Sequence, residues 1–280
     1  MKRIVTIQDI SCVGKCSITA ALPVISAMGV ETAILPTAVL STHTQFQGFT
    51  CKDLQDQIEP ISAHWKKEHF HFDAIYTGYL ASAEQIELVK KFFEDFDDGD
   101  TLRFVDPAMA DNGVMYPAFD DIEFPKAMAS LCGIADVIVP NLTEACYMTG
   151  AEYKTEYDEA YIKDVLQKLA KLGTRKFVVL TGVTPDKGMT GVSGLNVETG
   201  EFFGFSHEKV DASFHGTGDV FASATVGGLM NGKSLEEALK IAADFTVASI
   251  KETLANDPEK TYGVDFEAQF PCLLKLLGKV

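Results

Sequence analysis

Asp219 closes the segment Phe214-His215-Gly216-Thr217-Gly218-Asp219, in which two glycines bracket a threonine. Such glycines let the backbone turn tightly and come close to a ligand. The apolar, small-residue run at 220–229 has the make-up of a buried helix, so Gly216 to Asp219 are expected at its N-terminus. Unpaired N–H groups and the helix dipole favour a phosphate there. A carboxylate in the same turn can take a proton from an attacking hydroxyl. An anion-binding turn beside a base is what phosphoryl transfer to an alcohol requires. The competing reading is a glycine-rich turn in which Asp219 only complements the helix dipole.

Other polar groups follow strand-like runs. In Asn141-Leu142-Thr143-Glu144, Asn141 and Glu144 could hold magnesium beside nucleotide phosphates, directly or through water. The same spacing also reads as a helix N-cap with its partner three residues on, and the two readings can coexist. Asp106 ends another run and could join a cation site, or simply form an Asp-Pro turn with Pro107. Thr181-Gly182 ends a third, with a hydroxyl suited to a phosphate oxygen or to a plain turn. Gly14-Lys15 tempts one toward a P-loop, but the motif needs a glycine where Asp9 stands and a Ser or Thr where Cys16 stands. Residues 9–15 read better as a wall of the substrate pocket. Ser41 to Phe46, with His43 and Gln45, forms a similar polar cluster at a strand exit.

These groups need elements to position them. Strands are expected at 3–7, 32–36, 73–76, 102–106, 137–139 and 176–180, and a hairpin at 191–196 and 201–207. Helices are expected at 16–28, 53–66, 83–96, 143–148, 159–172, 218–230, 234–254 and 267–277. A loop is expected from 107 to about Phe119. The runs at 137–139 and 176–180 are continuously apolar, as strands covered on both faces are. Alternation of strand and helix implies a parallel, doubly wound sheet with helices on both faces. Ligands bind such sheets at the carboxyl ends of the strands, where most of these polar groups fall.

Composition narrows the class. The 280 residues carry a formal net charge of −16 and no basic stripe, which argues against nucleic acid and against an anionic membrane surface. No apolar run approaches the roughly 20 residues of a membrane span, and the N-terminus lacks a signal peptide's pattern. The six cysteines form no C-x-x-C pair, so reduced thiols in a cytoplasmic protein are expected.

The ordered set Ser41-Thr42-His43-Thr44, Thr77-Gly78-Tyr79, Val105-Asp106-Pro107, Asn141-x-x-Glu144, Thr181-Gly182 and Gly216-Thr217-Gly218-Asp219 resembles the ribokinase-like superfamily. Within it the chain resembles the pyridoxal/pyridoxine/pyridoxamine kinase family. The resemblance runs through Tyr262-Gly263-Val264-Asp265 and implies a single α/β, ribokinase-like kinase domain over 1–280, with a C-terminal hairpin and helical region. It implies Asp219 as base and Gly216, Thr217 and Gly218 as the anion hole. Asn141 and Glu144 organise magnesium, with Asp106 beside the metal, and Thr181 binds nucleotide phosphate. Val210 and Phe214 flank the adenine, and Ser11, His43, Thr44 and Tyr79 surround the pyridine ring. ATP and Mg2+ are the implied cofactors, with a monovalent cation as a further option, and a homodimer is the implied assembly. The segment between Gln8 and Val13 is shorter than in many members, which leaves Asp9 or Ser11 as the substrate contact, and Gln45 replaces a glycine. Alternatives are a hydroxymethylpyrimidine kinase, an ATP-dependent nicotinamide-hydrate dehydratase and an inactive ligand-binding homologue.

Overall fold

The computed structural model describes residues 1–116, 121–186, 188–257, 259 and 262–280. The first elements in chain order are β1 (Arg3–Ser11), α1 (Ile18–Ala27), β2 (Glu31–Leu40), β3 (Cys51–Asp53), α2 (Gln55–Lys67), β4 (Ala74–Thr77) and α3 (Ala83–Asp95). Then come β5 (Leu102–Val105), β6 (Ala110–Asp111), β7 (Val114–Met115), α4 (Phe124–Cys132), β8 (Val137–Ile138), α5 (Leu142–Thr149) and α6 (Glu159–Ala170). The chain finishes with β9 (Phe177–Thr181), β10 (Met189–Asn196), β11 (Phe202–Glu208), α7 (Thr217–Met230), α8 (Leu235–Asn256), a 3-10 turn (Phe266–Gln269) and α9 (Phe270–Leu277).

These elements fall into two compact units, Met1–Tyr76 with Val210–Val280, and Thr77–Lys209. In the first the strand order is β4-β1-β2-β3, with β1 and β2 parallel and β3 antiparallel to β2. In the second the order is β11-β10-β9-β8-β5, with β5, β8 and β9 parallel and the β10–β11 hairpin antiparallel at the edge. Mixed, mostly parallel strands with helices on both sides give the α/β class expected from the alternation. Among the described residues no helix is long and apolar enough to cross a membrane, and all six cysteines are free.

Several boundaries differ from expectation. The first strand runs on to Ser11, and β2 passes through Pro36 to Leu40. Their register slips between Gln8 and Ile10, where Gln8 faces Pro36 but Ile10 faces Val39. A bulge of this kind absorbs a residue that cannot donate to the ladder and lets pairing resume. Asp9 and Ser11 are therefore strand residues rather than loop residues. Strand β3, hairpin β6–β7 and helix α4 were not expected; the β segments, at two or three residues each, are too short to show a period. Phe119, the expected loop end, lies outside the described residues. The last helix starts three residues late, with Pro271 in its first turn, as suits a residue without an N–H.

The core of the first unit fixes where α7 begins. Val220 and Ala224 of α7 pack with Val24 and Met28 of α1 and with Ala242 and Phe245 of α8. A Cβ at Gly227 would lie 2.3 Å from the Met28 sulfur, and one at Gly228 would lie 2.9 Å from the Ala238 Cβ. Small residues thus let α1 and α8 press directly on the α7 backbone.

Candidate active site

In the first unit the site is built where β1 and α7 deliver their ends. Gly216 is the N-cap of α7 at φ +79°, a left-handed conformation. A Cβ there would lie 2.0 Å from the Lys15 carbonyl oxygen, so no larger residue fits. Gly218 differs from expectation: it is an ordinary helical residue, and a Cβ on it would meet nothing within 4 Å. Its service is open space rather than a turn. The first N–H groups of a helix have no intrahelical partner, which leaves those of Thr217 and Gly218 for a ligand. The Thr217 hydroxyl itself donates to the Phe214 carbonyl at 3.2 Å.

Asp219 is only partly exposed in the first turn of α7. Burial, reinforced by the Asp9 carboxylate, pushes its pKa up to about 7, against the bond from the Ser17 N–H. Asp9 is 4% exposed. It accepts hydrogen bonds from the hydroxyls of Ser11 at 2.9 Å and Ser17 at 2.5 Å. Burial raises the Asp9 pKa, and these two bonds oppose the rise. Ser17 precedes α1 at φ +48°, ψ −134°, and its side chain makes no cap bond to that helix. Such a conformation costs a non-glycine residue about 1–3 kcal/mol and persists only where its surroundings enforce it. The buried Cys16 thiol is pushed up by burial and by the charges of Asp219 and Asp9.

His43 is 1% exposed and stacks on His215, with centroids 4.3 Å apart and planes 21° apart. Phe46 packs beside it at 5.0 Å. Burial and His215 lower the His43 pKa to about 4, so the ring is neutral near pH 7. Its Nδ1 accepts from the Gln45 N–H at 3.2 Å, which assigns the proton to Nε2. That Nε2 has no partner among the described residues. Lys15 turns elsewhere: its Nζ binds Asp265 at 2.8 Å and Glu267 at 2.7 Å, and lies 5.5 Å from the centre of the Phe266 ring. Its N–H donates to the Tyr262 carbonyl. It is therefore a tether and not a phosphate-binding lysine. Thr44 is exposed, Val210 half-buried, and Phe214 belongs to the apolar core.

In the second unit Asp106, Asn141 and Thr181 stand at the carboxyl ends of the parallel strands β5, β8 and β9. Asn141 and Thr181 form a bridge, and the Thr181 hydroxyl reaches the Pro140 carbonyl at 3.4 Å. The capping reading of Asn141 and Glu144 holds in full: Asn141 Oδ1 accepts from the Glu144 N–H at 2.9 Å, and Glu144 Oε2 from the Asn141 N–H at 2.8 Å. Glu144 does more than cap. Its Oε1 accepts from the Met109 N–H at 3.2 Å, and Asn141 Nδ2 donates to the Ala110 carbonyl at 2.8 Å. The carboxyl is 3% exposed, and burial together with the Asp106 carboxylate raises its pKa well above the usual range. Tyr79 is half-buried after β4.

Sequence reasoning missed Ser17 and His215. Serine before an apolar run looks like an ordinary N-cap, and nothing local betrays its positive φ. Asp9 did leave a signal, a carboxylate between Gln8 and Ile10 in a run otherwise fit for burial.

A family model described as phosphomethylpyrimidine kinase matches residues 12–263. The chain belongs to that family. It is a kinase of the ribokinase-like group to which pyridoxal kinases also belong. A candidate phosphomethylpyrimidine kinase from Bacteroides thetaiotaomicron VPI-5482, crystallised with pyridoxal, is 38% identical at a TM-score of 0.91, with 97% of this chain and 95% of that one covered. Pyridoxal kinase from Lactobacillus plantarum is 31% identical at a TM-score of 0.89, covering 99% and 98%. The hydroxymethylpyrimidine/phosphomethylpyrimidine kinase of Bacillus subtilis (strain 168) is 26% identical over 229 residues, 81% of this chain and 79% of that one. Members of this family therefore differ in the ring that they are named for.

Proposed function

We propose that the chain is an ATP-dependent kinase that phosphorylates the 5′-hydroxymethyl group of pyridoxal, pyridoxine or pyridoxamine, with residues 1–280 working as one kinase domain. The observation that carries this reading is Asp219, whose carboxyl is held at a pKa of about 7 in the first turn of α7, one residue past the open space at Gly218. A base poised near neutrality is half ready at physiological pH and still strong enough to take a proton. Asp219 accepts the proton of the attacking hydroxyl. The N–H groups of Thr217 and Gly218, with Gly216 setting their direction, stabilise charge on the transferring group. Asn141, Thr181, Val210 and Phe214 serve the nucleotide, and Ser11, His43, Thr44 and Tyr79 serve the ring.

Asp106 and Glu144 fit a magnesium ion. Burial and the neighbouring Asp106 carboxylate resist ionisation of Glu144, and a cation would relieve it. Among the described residues no group of three or more His, Cys, Asp or Glu could hold a metal. That suits an ion bound by one or two carboxylates, water and substrate phosphates. When bound, it neutralises phosphate charge.

Support for a pyridine ring comes from the flat, neutral His43–His215 stack with its oriented Nε2 donor, and from the likeness to the Lactobacillus plantarum enzyme. The second reading, hydroxymethylpyrimidine as acceptor, is favoured by the family model and the Bacillus subtilis relative. A panel of acceptors with ATP and Mg2+ tests both. Pyridoxal-type rings are expected to show higher kcat/KM than hydroxymethylpyrimidine, with ribose hardly used. A reversed order overturns the ring assignment and spares the kinase. Turnover of a nicotinamide hydrate with no phosphorylated alcohol, or no turnover at all, overturns the proposal.

A further inference from the structure

The β6–β7 hairpin reaches Glu144 from outside its helix. Its strands are two residues each, too short to hold themselves, so its place is set by what it touches. It turns through Asn112 at φ +51° and Gly113 at φ +81°, the two positive values that a two-residue hairpin turn requires. Both backbone groups of Gly113 are bound by side chains of α5. The N–H donates to the Thr143 hydroxyl at 3.0 Å, and the carbonyl accepts from the Tyr147 hydroxyl at 3.4 Å. Residues four apart share one face of a helix, so α5 presents both groups to the turn. Tyr153 closes on it from the loop beyond: a Cβ at Gly113 would lie 2.9 Å from its ring. At the root of the hairpin the Tyr116 N–H donates to the Met109 carbonyl at 2.9 Å, and Met109 is the residue whose own N–H holds Glu144 Oε1. The helix cap holds the other oxygen, Oε2, through the Asn141 N–H. The last torsion of a glutamate is soft, so one bond alone would leave the carboxyl plane free to turn. The second bond, from a different element, fixes it.

We propose that Thr143 is a positioning residue for Glu144: its hydroxyl fastens the hairpin tip, the seated hairpin presents the Met109 N–H, and that N–H sets the plane of the Glu144 carboxyl. The inference rests on the reading of Glu144 as a magnesium carboxylate. It gives Thr143, only 3% exposed in the first turn of α5, a task that helix formation does not ask of it. Threonine is a middling helix former, and its value here is the acceptor oxygen. Tyr153 supports the same tip from outside the helix. Groups that orient a metal's ligands commonly matter nearly as much as the ligands themselves.

The experiment reads amide exchange by NMR in protein free of metal and nucleotide, and then magnesium titrations of activity. Thr143→Val keeps the shape of the side chain and removes the acceptor. The Gly113 and Met109 amides are then expected to exchange faster together, as one local opening, while those of Met148 and Thr149 late in α5 keep the wild-type rate. The magnesium concentration for half-maximal activity should rise about 10-fold, the low end for losing an outer partner of a metal ligand. The KM of the acceptor should barely move. Thr143→Ser restores an oxygen and should return both readings toward the wild type. If Gly113 alone exchanges faster and Met109 stays protected, the tip is fastened but positions nothing, and the inference falls. It falls equally if Thr143→Val lowers only the melting temperature and leaves the magnesium titration in place while Glu144→Gln moves it. If Thr143→Val does not fold, Tyr153→Leu loosens the same tip, and an unmoved Met109 amide there overturns the inference. Failure of the magnesium reading looks different: Glu144→Gln would then leave the titration unchanged, whatever Gly113 and Met109 do.

Discussion

A carboxyl that titrates near pH 7 leaves two separate marks. With Asp219 as the proposed base, activity needs it without its proton, so kcat/KM should fall as pH drops through about 7. Asp219→Asn should lower kcat by about 10²–10⁴-fold, the range for losing a general base, with little change in nucleotide affinity. Stability runs the other way. The folded pKa is raised above the unfolded one, so the folded state keeps a proton that the unfolded state releases. The resulting contribution is fully present below the unfolded pKa and is lost as pH rises to about 7. Asparagine removes the burial of charge, so the variant is expected to melt above the wild-type protein at pH 8, with a smaller gap at pH 5. Melting curves at both values, with activity on the same samples, check the pair. A variant that is less active and no more stable at pH 8 would mean that Asp219 is not strained toward its neutral form.

At the scale of elements, the start of α7 separates two glycines that look alike in sequence. Gly216 sits at positive φ against the Lys15 carbonyl, whereas Gly218 is helical and faces empty space. Gly216→Ala is expected to lower both melting temperature and turnover. Gly218→Ala should raise stability by up to about 1 kcal/mol, since alanine is the better helix former. It should nevertheless depress kcat/KM, because its methyl group enters the space proposed for the transferring group. Thermal melts beside kinetics on the two variants decide this. The sequence carries enough to expect a helix start here, because glycines, an acidic residue and an apolar run coincide. It carries enough to expect Asn141 and Glu144 at a strand exit, since their cap spacing is local. It does not carry the continuation of β1 to Ser11, which depends on a bulge where Pro36 meets Gln8 across the sheet. Nor does it carry the φ of Ser17, which is set by neighbours far along the chain. What is local was legible, and what is imposed by a partner was not.

At the scale of the whole molecule, a net charge of −16 sets the background in which an anionic nucleotide must arrive. In the proposed reading local N–H groups and a cation bind it, but the general field repels it. At 0.1 M salt, charges more than about 10 Å apart are largely screened from one another. Raising ionic strength from a low value with tetramethylammonium chloride should therefore lower the KM for nucleotide, while the KM of an uncharged acceptor barely moves. A large bulky cation is chosen so that it does not substitute for a specific monovalent ion. A nucleotide KM that rises with salt would mean that a local positive field, and not the global charge, governs arrival.

Lys15 gives the molecule a temporal property. Its ammonium reaches Asp265 across 250 positions of sequence, its side chain packs on Gly263, and its backbone meets Tyr262 and Gly216. The tether beside Asp219 thus joins segments about 250 positions apart in the chain. Contacts so distant in sequence close late, because the intervening chain must first be gathered. During folding the turn at Lys15 to Ser17 therefore lacks this clamp until residues 262–267 are drawn in. Until then strands and helices can form nearby, but the surroundings of Asp219 are not yet fixed, so order at this end of α7 is expected to be the last to arrive.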